Sequence, residues 1–214
     1  SSWAERTAGL SIFNTDSIEM ASSVGEYSSP VQKTWGSVPI SEKIDLLKEI
    51  DAKLPIDERI IDWQASLMHV STDSLYLTAD GGEVVQRLEM LAPDILAVAN
   101  SGTQTQKRSF GSRGMSQQGG MEILDRVGFR QAPGRIAREA IALLEAPDCP
   151  TGDMDLLLCA DQMMLQIHES IGHPLELDRI LGDERNYAGT SFVTLDMFGE
   201  YRYGSDLLNV TFDP

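Results

Sequence analysis

The stretch between residues 60 and 115 sets the strongest constraint on how this chain can fold. Five short runs rich in apolar and β-branched residues follow one another there: IIDWQASLMHV, SLYLTA, EVVQRLEML, ILAVAN and QTQKRSFG. Turn-forming stretches lie between them, among them TADGGE, APD and NSGT. Strands joined by short turns pair with their sequence neighbours. The pattern therefore predicts an antiparallel meander.

Two amphipathic helices are predicted on either side of this meander. SEKIDLLKEIDAKLP, residues 41–55, begins with Ser41, a favourable N-cap residue, and ends at a proline. Its helically spaced apolar residues are Ile44, Leu47, Ile50 and Leu54. GRIAREAIALLEAP, residues 134–147, is the second predicted helix. One face of it carries Ile136, Ala140, Leu143 and Leu144. Together with the meander, the helices indicate the α+β fold class.

Glycine- and proline-rich stretches divide the chain. GSRGMSQQGG, residues 111–120, lacks the spacing of a phosphate-binding loop, and we interpret it as a flexible link. APDCPTGD, residues 146–153, predicts a domain linker. We therefore expect an N-terminal α/β domain over residues 1–147 and the beginning of a second, β-rich domain over residues 148–214.

The second domain is expected to begin with a short buried strand, MDLLLCA, in which Cys159 is a core residue. DQMMLQIHESIGH then predicts a helix, packed through Met163, Met164 and Leu165. The tail after residue 188 alternates like β structure with loops.

Charge and composition exclude several classes of partner. With 33 acidic and 17 basic side chains, the formal net charge is −16, which disfavours nucleic acid. No apolar run approaches the ~20 residues of a membrane span, and the first residues do not resemble a signal peptide. We therefore expect a cytoplasmic protein without a membrane partner. Cys149 and Cys159 are not in a C-x-x-C arrangement and are expected to be reduced thiols.

Residues 168–173 read HESIGH and contain two of the three histidines. On an α-helix, positions five apart point about 140° away from each other, so a straight helix cannot direct both imidazoles at one ion. Gly172 is a weak helix former, and Pro174 disfavours the α conformation of the residue before it. We therefore predict that the helix ends at or before His173, which lets that ring turn back toward His168.

A pair of convergent imidazoles is typical of a zinc site, although catalytic zinc usually has three protein ligands. Glu169 lies beside the first histidine and suits a general base that removes a proton from a water activated by the metal. The implied reaction is hydrolysis. Spacing alone leaves open that His168 and His173 are structural residues hydrogen-bonded within a core.

HESIGHPLELD resembles the HExxxH signature of the TldD/PmbA family of metallopeptidases. LLLCADQMM before the motif and GSDLLNVTFDP after it agree with the family, as does the upstream order of helix, meander, GSRGMSQQGG and helix. The resemblance implies that His168 and His173 bind zinc and that Glu169 activates water. The resemblance also implies that residues 148–214 begin the catalytic domain. In this chain a proline follows the motif, where a glycine is more usual.

The resemblance also implies features that lie outside this chain. The third zinc ligand would be a cysteine in a C-terminal β domain beyond Pro214, a position that neither Cys149 nor Cys159 matches. Because the chain begins at Ser1 without a methionine, we expect it to lack a piece at each end. The family implies a homodimer, or a heterodimer with a related subunit, that encloses the site and admits peptides or unfolded chains.

Two alternatives remain at this point. The chain could be a non-catalytic peptide-binding or scaffold subunit, because its own ligand set is incomplete, or its histidine pair could be purely structural. Among the other candidate residues, His69 has no acidic neighbour in the sequence pattern and is interpreted as structural. Glu176 and Asp178 could orient the imidazoles or could simply be solvated.

Overall fold

The computed structural model describes residues 22–211, together with Trp3 and Arg6. The chain divides into two compact units, Ser1–Cys149 and Pro150–Pro214. The division falls inside the stretch that was expected to be a linker. The assignment of the second unit to a catalytic domain stays a prediction. No helix in these described residues is long and apolar enough to cross a membrane.

A five-stranded sheet forms the centre of the first unit. Its strands in chain order are β1 (Val24–Ser28), β2 (Ile60–Leu77), β3 (Glu83–Ser101), β4 (Gln104–Ser109) and β5 (Gln117–Gln118). Strand β3 is central: it pairs antiparallel with β2, β4 and β5, and parallel with β1. The antiparallel meander is confirmed for β2, β3 and β4, and with the helices described below the fold class is α+β, as predicted.

The meander has fewer and longer strands than expected, because the turn predicted at APD is wrong. Pro93 lies within β3 and is fully buried. The odd-numbered residues of β3 on either side of Pro93 direct their backbone N–H and C=O groups to one edge of the strand. At this edge the carbonyls of Glu89 and Ile95 accept from the amides of Gly119 and Phe110, respectively. Pro93 faces the same edge, between the stretches of β3 that pair with β5 and with β4. Its missing N–H therefore breaks no ladder hydrogen bond.

One face of the sheet packs against three helices of the first unit. These are α1 (Ile40–Asp51), α2 (Ile123–Arg126) and α3 (Pro133–Leu144). The core between them is apolar, and its largest fully buried side chains are Phe129, Ile50, Leu54, Leu91, Ile95, Ile123 and Ile136. Removing this apolar area from water is the main favourable contribution to the stability of the unit.

Helix α1 differs in detail from its prediction. It begins at Ile40 with Pro39 at the N-cap, so Ser41 does not cap it, and it ends before the expected proline. Ile44 is 44% exposed, whereas Lys43 is only 5% exposed. The Lys43 ammonium donates to two backbone carbonyls, those of Trp35 and Val38, both at 2.7 Å. A buried lysine with satisfied donors thus occupies the helix face where the sequence pattern placed an isoleucine.

The end of the glycine-rich stretch is packed, so its interpretation as a flexible link is wrong for Gly119 and Gly120. Gly119 and Gly120 are buried, and a Cβ atom added to Gly120 would lie 2.1 Å from the carbonyl oxygen of Lys33. The Glu122 carboxylate accepts hydrogen bonds from the backbone amides of Gly120, Gln32 and Lys33, at 2.9, 3.1 and 2.9 Å. Glycine is required here because two backbone segments approach closely.

The second unit contains helices and irregular backbone in its described residues. Its elements are α4 (Ala160–Ile167), a π turn (His168–Gly172), a 3-10 turn (His173–Leu175), α5 (Leu177–Leu181) and a further 3-10 turn (Leu195–Met197). The strand predicted at MDLLLCA and the β structure predicted for the tail are not formed within residues 154–211.

The apolar side chains of MDLLLCA are not buried in this structure. Leu156 is 76% exposed and Leu157 is 94% exposed, and Cys159 is an exposed N-cap residue. Met164 and Leu165, expected to pack α4, are 55% and 53% exposed. A strand needs a neighbour for its backbone hydrogen bonds, and no described strand pairs with this segment.

Candidate metal centre

A widened helical turn carries the motif. The backbone amide of His173 donates to the carbonyl of His168, five residues earlier. A hydrogen bond between residues five apart defines a π turn, a feature found mostly as single turns inside α-helices. In such a turn, five residues make about one revolution of the helix. The side chains of His168 and His173 therefore project from the same side of the helix.

The two imidazoles converge, as predicted, but not for the predicted reason. Their ring centroids are 4.3 Å apart and the ring planes are inclined by 73°. His173 keeps helical backbone angles, φ −59° and ψ −42°, and the 3-10 turn continues through Pro174. The α-helix does end before His173, at Ile167, but the expected departure of His173 from a helical backbone conformation is wrong. The α-helix becomes wider at this point, and the wider turn accommodates the five-residue spacing.

Proline at position 174 favours this change in the helix. An α-helix would use the N–H of residue 174 to reach the carbonyl of Ser170, and proline has no N–H to donate. The α-helical series of hydrogen bonds, in which each N–H donates to the carbonyl four residues earlier, is thus interrupted at Pro174. The turn does not require glycine at position 172, since a Cβ atom there would meet only Nδ1 of His168, at 3.9 Å.

Glu169 lies between the two histidines. Its Oε1 is 3.8 Å from Nε2 of His168, and its Oε2 is 3.9 Å from Nε2 of His173. One ligand atom from each of the three residues lies within 4.8 Å of the other two. Two imidazole nitrogens and a carboxylate oxygen are donors that zinc accepts. The side chains of His168 and Glu169 are each 58% exposed, so an ion and a water can reach the site.

A carboxylate and a guanidinium hold the ring of His173. Its Nδ1 is 2.7 Å from Oε1 of Glu176, and Nε of Arg179 donates to the other oxygen of that carboxylate. The hydrogen bond with His173 lowers the pKa of Glu176 below its usual value; burial opposes this shift and Arg179 adds to it. Since an ionised carboxylate only accepts, this contact favours the tautomer of His173 that carries its proton on Nδ1 and keeps the lone pair on Nε2.

Of the two carboxylates after the motif, Glu176 alone contacts a motif histidine. The Asp178 side chain accepts from the backbone amide of Arg179 at 2.8 Å. Arg179 was missed by the sequence reasoning. Its spacing of three residues from Glu176, on adjoining helical turns, was the signal that could have found it.

His69 has an acidic partner that the sequence pattern did not reveal. Its Nε2 is 2.5 Å from the Glu89 carboxylate, and its ring stacks on Trp35 with centroids 5.0 Å apart. Glu89 lies on the neighbouring strand, so only the register of β2 and β3 brings the pair together. The structural interpretation of His69 agrees with this stacked, hydrogen-bonded position.

An apolar groove of about 300 Å³ begins at the motif turn. Ser170 and Ile171 of the π turn line one side of it. Its other apolar and aromatic lining residues include Pro174, Leu175, Phe192, Val193, Met197 and Tyr203. The groove therefore offers apolar contact area next to the convergent histidines.

Comparison with known proteins identifies the family. Residues 33–146, which include β2 to β5 and the helices α1 to α3, match the PmbA/TldA metallopeptidase central domain. A protein of Methanothermobacter thermautotrophicus named metalloprotease is 27% identical over 203 residues, covering 86% of this chain and 44% of the relative. A metalloprotease of Archaeoglobus fulgidus is 24% identical over 166 residues, covering 77% of this chain and 37% of the relative.

The chain spans less than half the length of these two relatives. The domain match nevertheless extends over more than half of this chain. It covers strands β2 to β5 and helices α1 to α3 of the first unit, and the convergent histidines follow it in the second. On this evidence, the chain belongs to the PmbA/TldD family of metallopeptidases.

Proposed function

We propose that this chain supplies two metal ligands and the general base of a zinc-dependent peptidase. The observation that carries the proposal is the π turn, which brings one ligand atom each of His168, His173 and Glu169 within 4.8 Å of one another. His168 and His173 are the zinc ligands in this proposal. The third ligand comes from outside the described residues, in keeping with the cysteine that the family resemblance implies.

Each residue of the motif has a distinct role in hydrolysis. A zinc ion held by His168 and His173 would lower the pKa of a bound water and polarise the carbonyl of a peptide bond. Glu169 accepts the proton of the attacking water and delivers it to the leaving amine. Its two oxygens lie 3.8 Å from Nε2 of His168 and 3.9 Å from Nε2 of His173, so the carboxylate stands beside both proposed ligands.

Glu176 and Arg179 orient the second ligand. The Glu176 carboxylate keeps the Nδ1 proton on His173, and Arg179 keeps that carboxylate ionised and in place. Such partners of a metal-bound imidazole set its tautomer and its direction. This arrangement favours metal binding over a purely structural histidine pair, because it leaves Nε2 free of a proton.

The substrates we propose are peptides or unfolded chains, and the assembly is a homodimer or a heterodimer with a related subunit in the cytoplasm. The two curated relatives are named metalloproteases, which supports peptide hydrolysis as the reaction class. The open, apolar groove beside the motif suits an extended apolar segment better than a charged nucleic acid.

Metal analysis of the full-length protein tests this function. We expect about one zinc ion per chain, lost in His168→Ala and in His173→Ala. Glu169→Gln should keep the zinc and lose peptide hydrolysis by a factor of at least about 100. Retained hydrolysis in Glu169→Gln would show that another group is the base.

A second function, a non-catalytic peptide-binding subunit, is favoured by the groove and by the incomplete ligand set. It predicts peptide binding without zinc at any stage of purification. In that case His168→Ala would leave peptide affinity unchanged. The enzyme and the binding subunit are therefore distinguished by the same metal analysis.

A further inference from the structure

Two backbone carbonyls at the end of the motif helix accept hydrogen bonds from hydroxyl groups further along the chain. The Tyr203 hydroxyl donates to the carbonyl of Ser170 at 2.9 Å. The Ser191 hydroxyl donates to the carbonyl of Pro174 at 2.7 Å. Carbonyls at a helix end need such donors because no further turn supplies an N–H.

The Ser170 carbonyl has a specific reason to need an outside donor. Its partner in an α-helix would be the N–H of residue 174, and Pro174 has none. The Tyr203 hydroxyl replaces that missing donor. The widened turn is thereby completed by a residue 33 positions away in the sequence.

Both hydroxyls are held by other contacts. The Ser191 hydroxyl accepts from the amide of Val193 at 2.9 Å, and the Ser191 amide donates to the carbonyl of Arg179 at 3.3 Å. Val193 is itself buried. The ring of Tyr203 stacks on Phe192, with centroids 6.1 Å apart. Neither hydroxyl therefore has to be ordered anew to reach its carbonyl, which lowers the entropic cost of the contact.

The two carbonyls lie on either side of His173 in the sequence. We propose that Ser191 and Tyr203 are positioning residues, which hold the π turn so that His173 stays beside His168 in the metal centre. The effect on the metal rests on the proposed function, whereas the effect on the turn rests on the hydrogen bonds alone. An α-helical turn at this position would separate the rings by about 140°, so the turn decides whether two ligands can share one ion.

Three variants of the full-length protein test this: Ser191→Ala, Tyr203→Phe and the double variant. Thr190→Ala and Tyr187→Phe are the matched controls, since Thr190 is an exposed neighbour and Tyr187 is 92% exposed. Cobalt(II) is the probe, and its affinity and visible absorption spectrum are measured. Hydrogen–deuterium exchange of the metal-free protein is followed separately in peptides covering residues 160–167 and 168–176.

We expect each single variant to bind cobalt(II) about 3- to 10-fold more weakly, the range that one lost neutral hydrogen bond allows. The double variant should lose about 10- to 50-fold and shift the absorption spectrum. Exchange should become faster in residues 168–176, which contain the His173 amide, and stay unchanged in residues 160–167. The two control variants should behave like the wild type in both measurements.

A double variant with wild-type cobalt affinity, spectrum and exchange would overturn the inference. Exchange that rises equally in both peptides, with unchanged affinity, would also overturn it, because the two hydroxyls would then only stabilise the unit as a whole. If the wild type binds no cobalt, the proposed function fails. The exchange comparison then decides alone: faster exchange confined to residues 168–176 supports the role of the two hydroxyls, and unchanged exchange refutes it.

Discussion

The Glu122 carboxylate joins two distant backbone segments of the first unit, and its removal should measurably destabilise that unit. Burial raises the pKa of Glu122, but hydrogen bonds from the amides of Gly120, Gln32 and Lys33 lower it by more. The net effect lowers this pKa from 4.5 to about 2. A shift of this size corresponds to about 3 kcal/mol of stability at neutral pH. Because the side chain is partly exposed, solvent screening reduces the expected loss in Glu122→Gln to about 1–2 kcal/mol.

The sign of the pH dependence follows from the lowered pKa. The folded state holds the ionised carboxylate more strongly than the unfolded chain does, so the stabilisation is fully present well above pH 4.5 and is lost as the pH falls toward about 2. The stability difference between wild type and Glu122→Gln should therefore be constant near neutral pH. It should shrink continuously as the pH falls below 4.5 and approach zero near pH 2.

Urea unfolding followed by tryptophan fluorescence measures this difference. All three tryptophans, Trp3, Trp35 and Trp63, lie in the first unit, so their emission reports on it and not on the second unit. Glu58→Gln, which changes an exposed glutamate of the same unit, is the control and should leave the midpoint unchanged. Equal midpoints for wild type and Glu122→Gln at neutral pH, or a difference that does not depend on pH, would refute the reasoning.

Three further predictions concern the core and the motif. Phe129→Ala, at a fully buried position, should cost about 3–5 kcal/mol of unfolding free energy in the same urea assay; a loss below about 1 kcal/mol would mean that the core rearranges around the cavity. Glu176→Gln should weaken zinc binding about 10- to 100-fold, measured by competition with a chelating dye, because His173 loses its charged partner. Pro174→Ala supplies an N–H that can form the α-helical bond to Ser170; zinc affinity should fall with it, and an unchanged affinity would show that the proline does not set the turn.

Local sequence patterns were enough for the meander of the first unit because β2, β3 and β4 pair in chain order. This meander, the two predicted helices and the turns at TADGGE and NSGT are formed where turn chemistry and periodicity predict them, whereas the pairing of β1 and β5 with β3 was not predicted. Pro93 could not be placed from the sequence, since its acceptability depends on which edge of β3 it faces. Lys43 was missed for a similar reason: only the folded chain brings the carbonyls of Trp35 and Val38 to its ammonium.

The residues of the candidate metal centre were proposed from the sequence alone, through the motif HESIGH and its flanking stretches. Their convergence was decided by tertiary structure. A spacing of five is ambiguous on its own, because it separates two side chains on an α-helix and brings them together on a π turn. The choice between these turns depends on donors for two carbonyls, and the hydroxyls of Ser191 and Tyr203 reach them only after the later segment has folded back over the helix end.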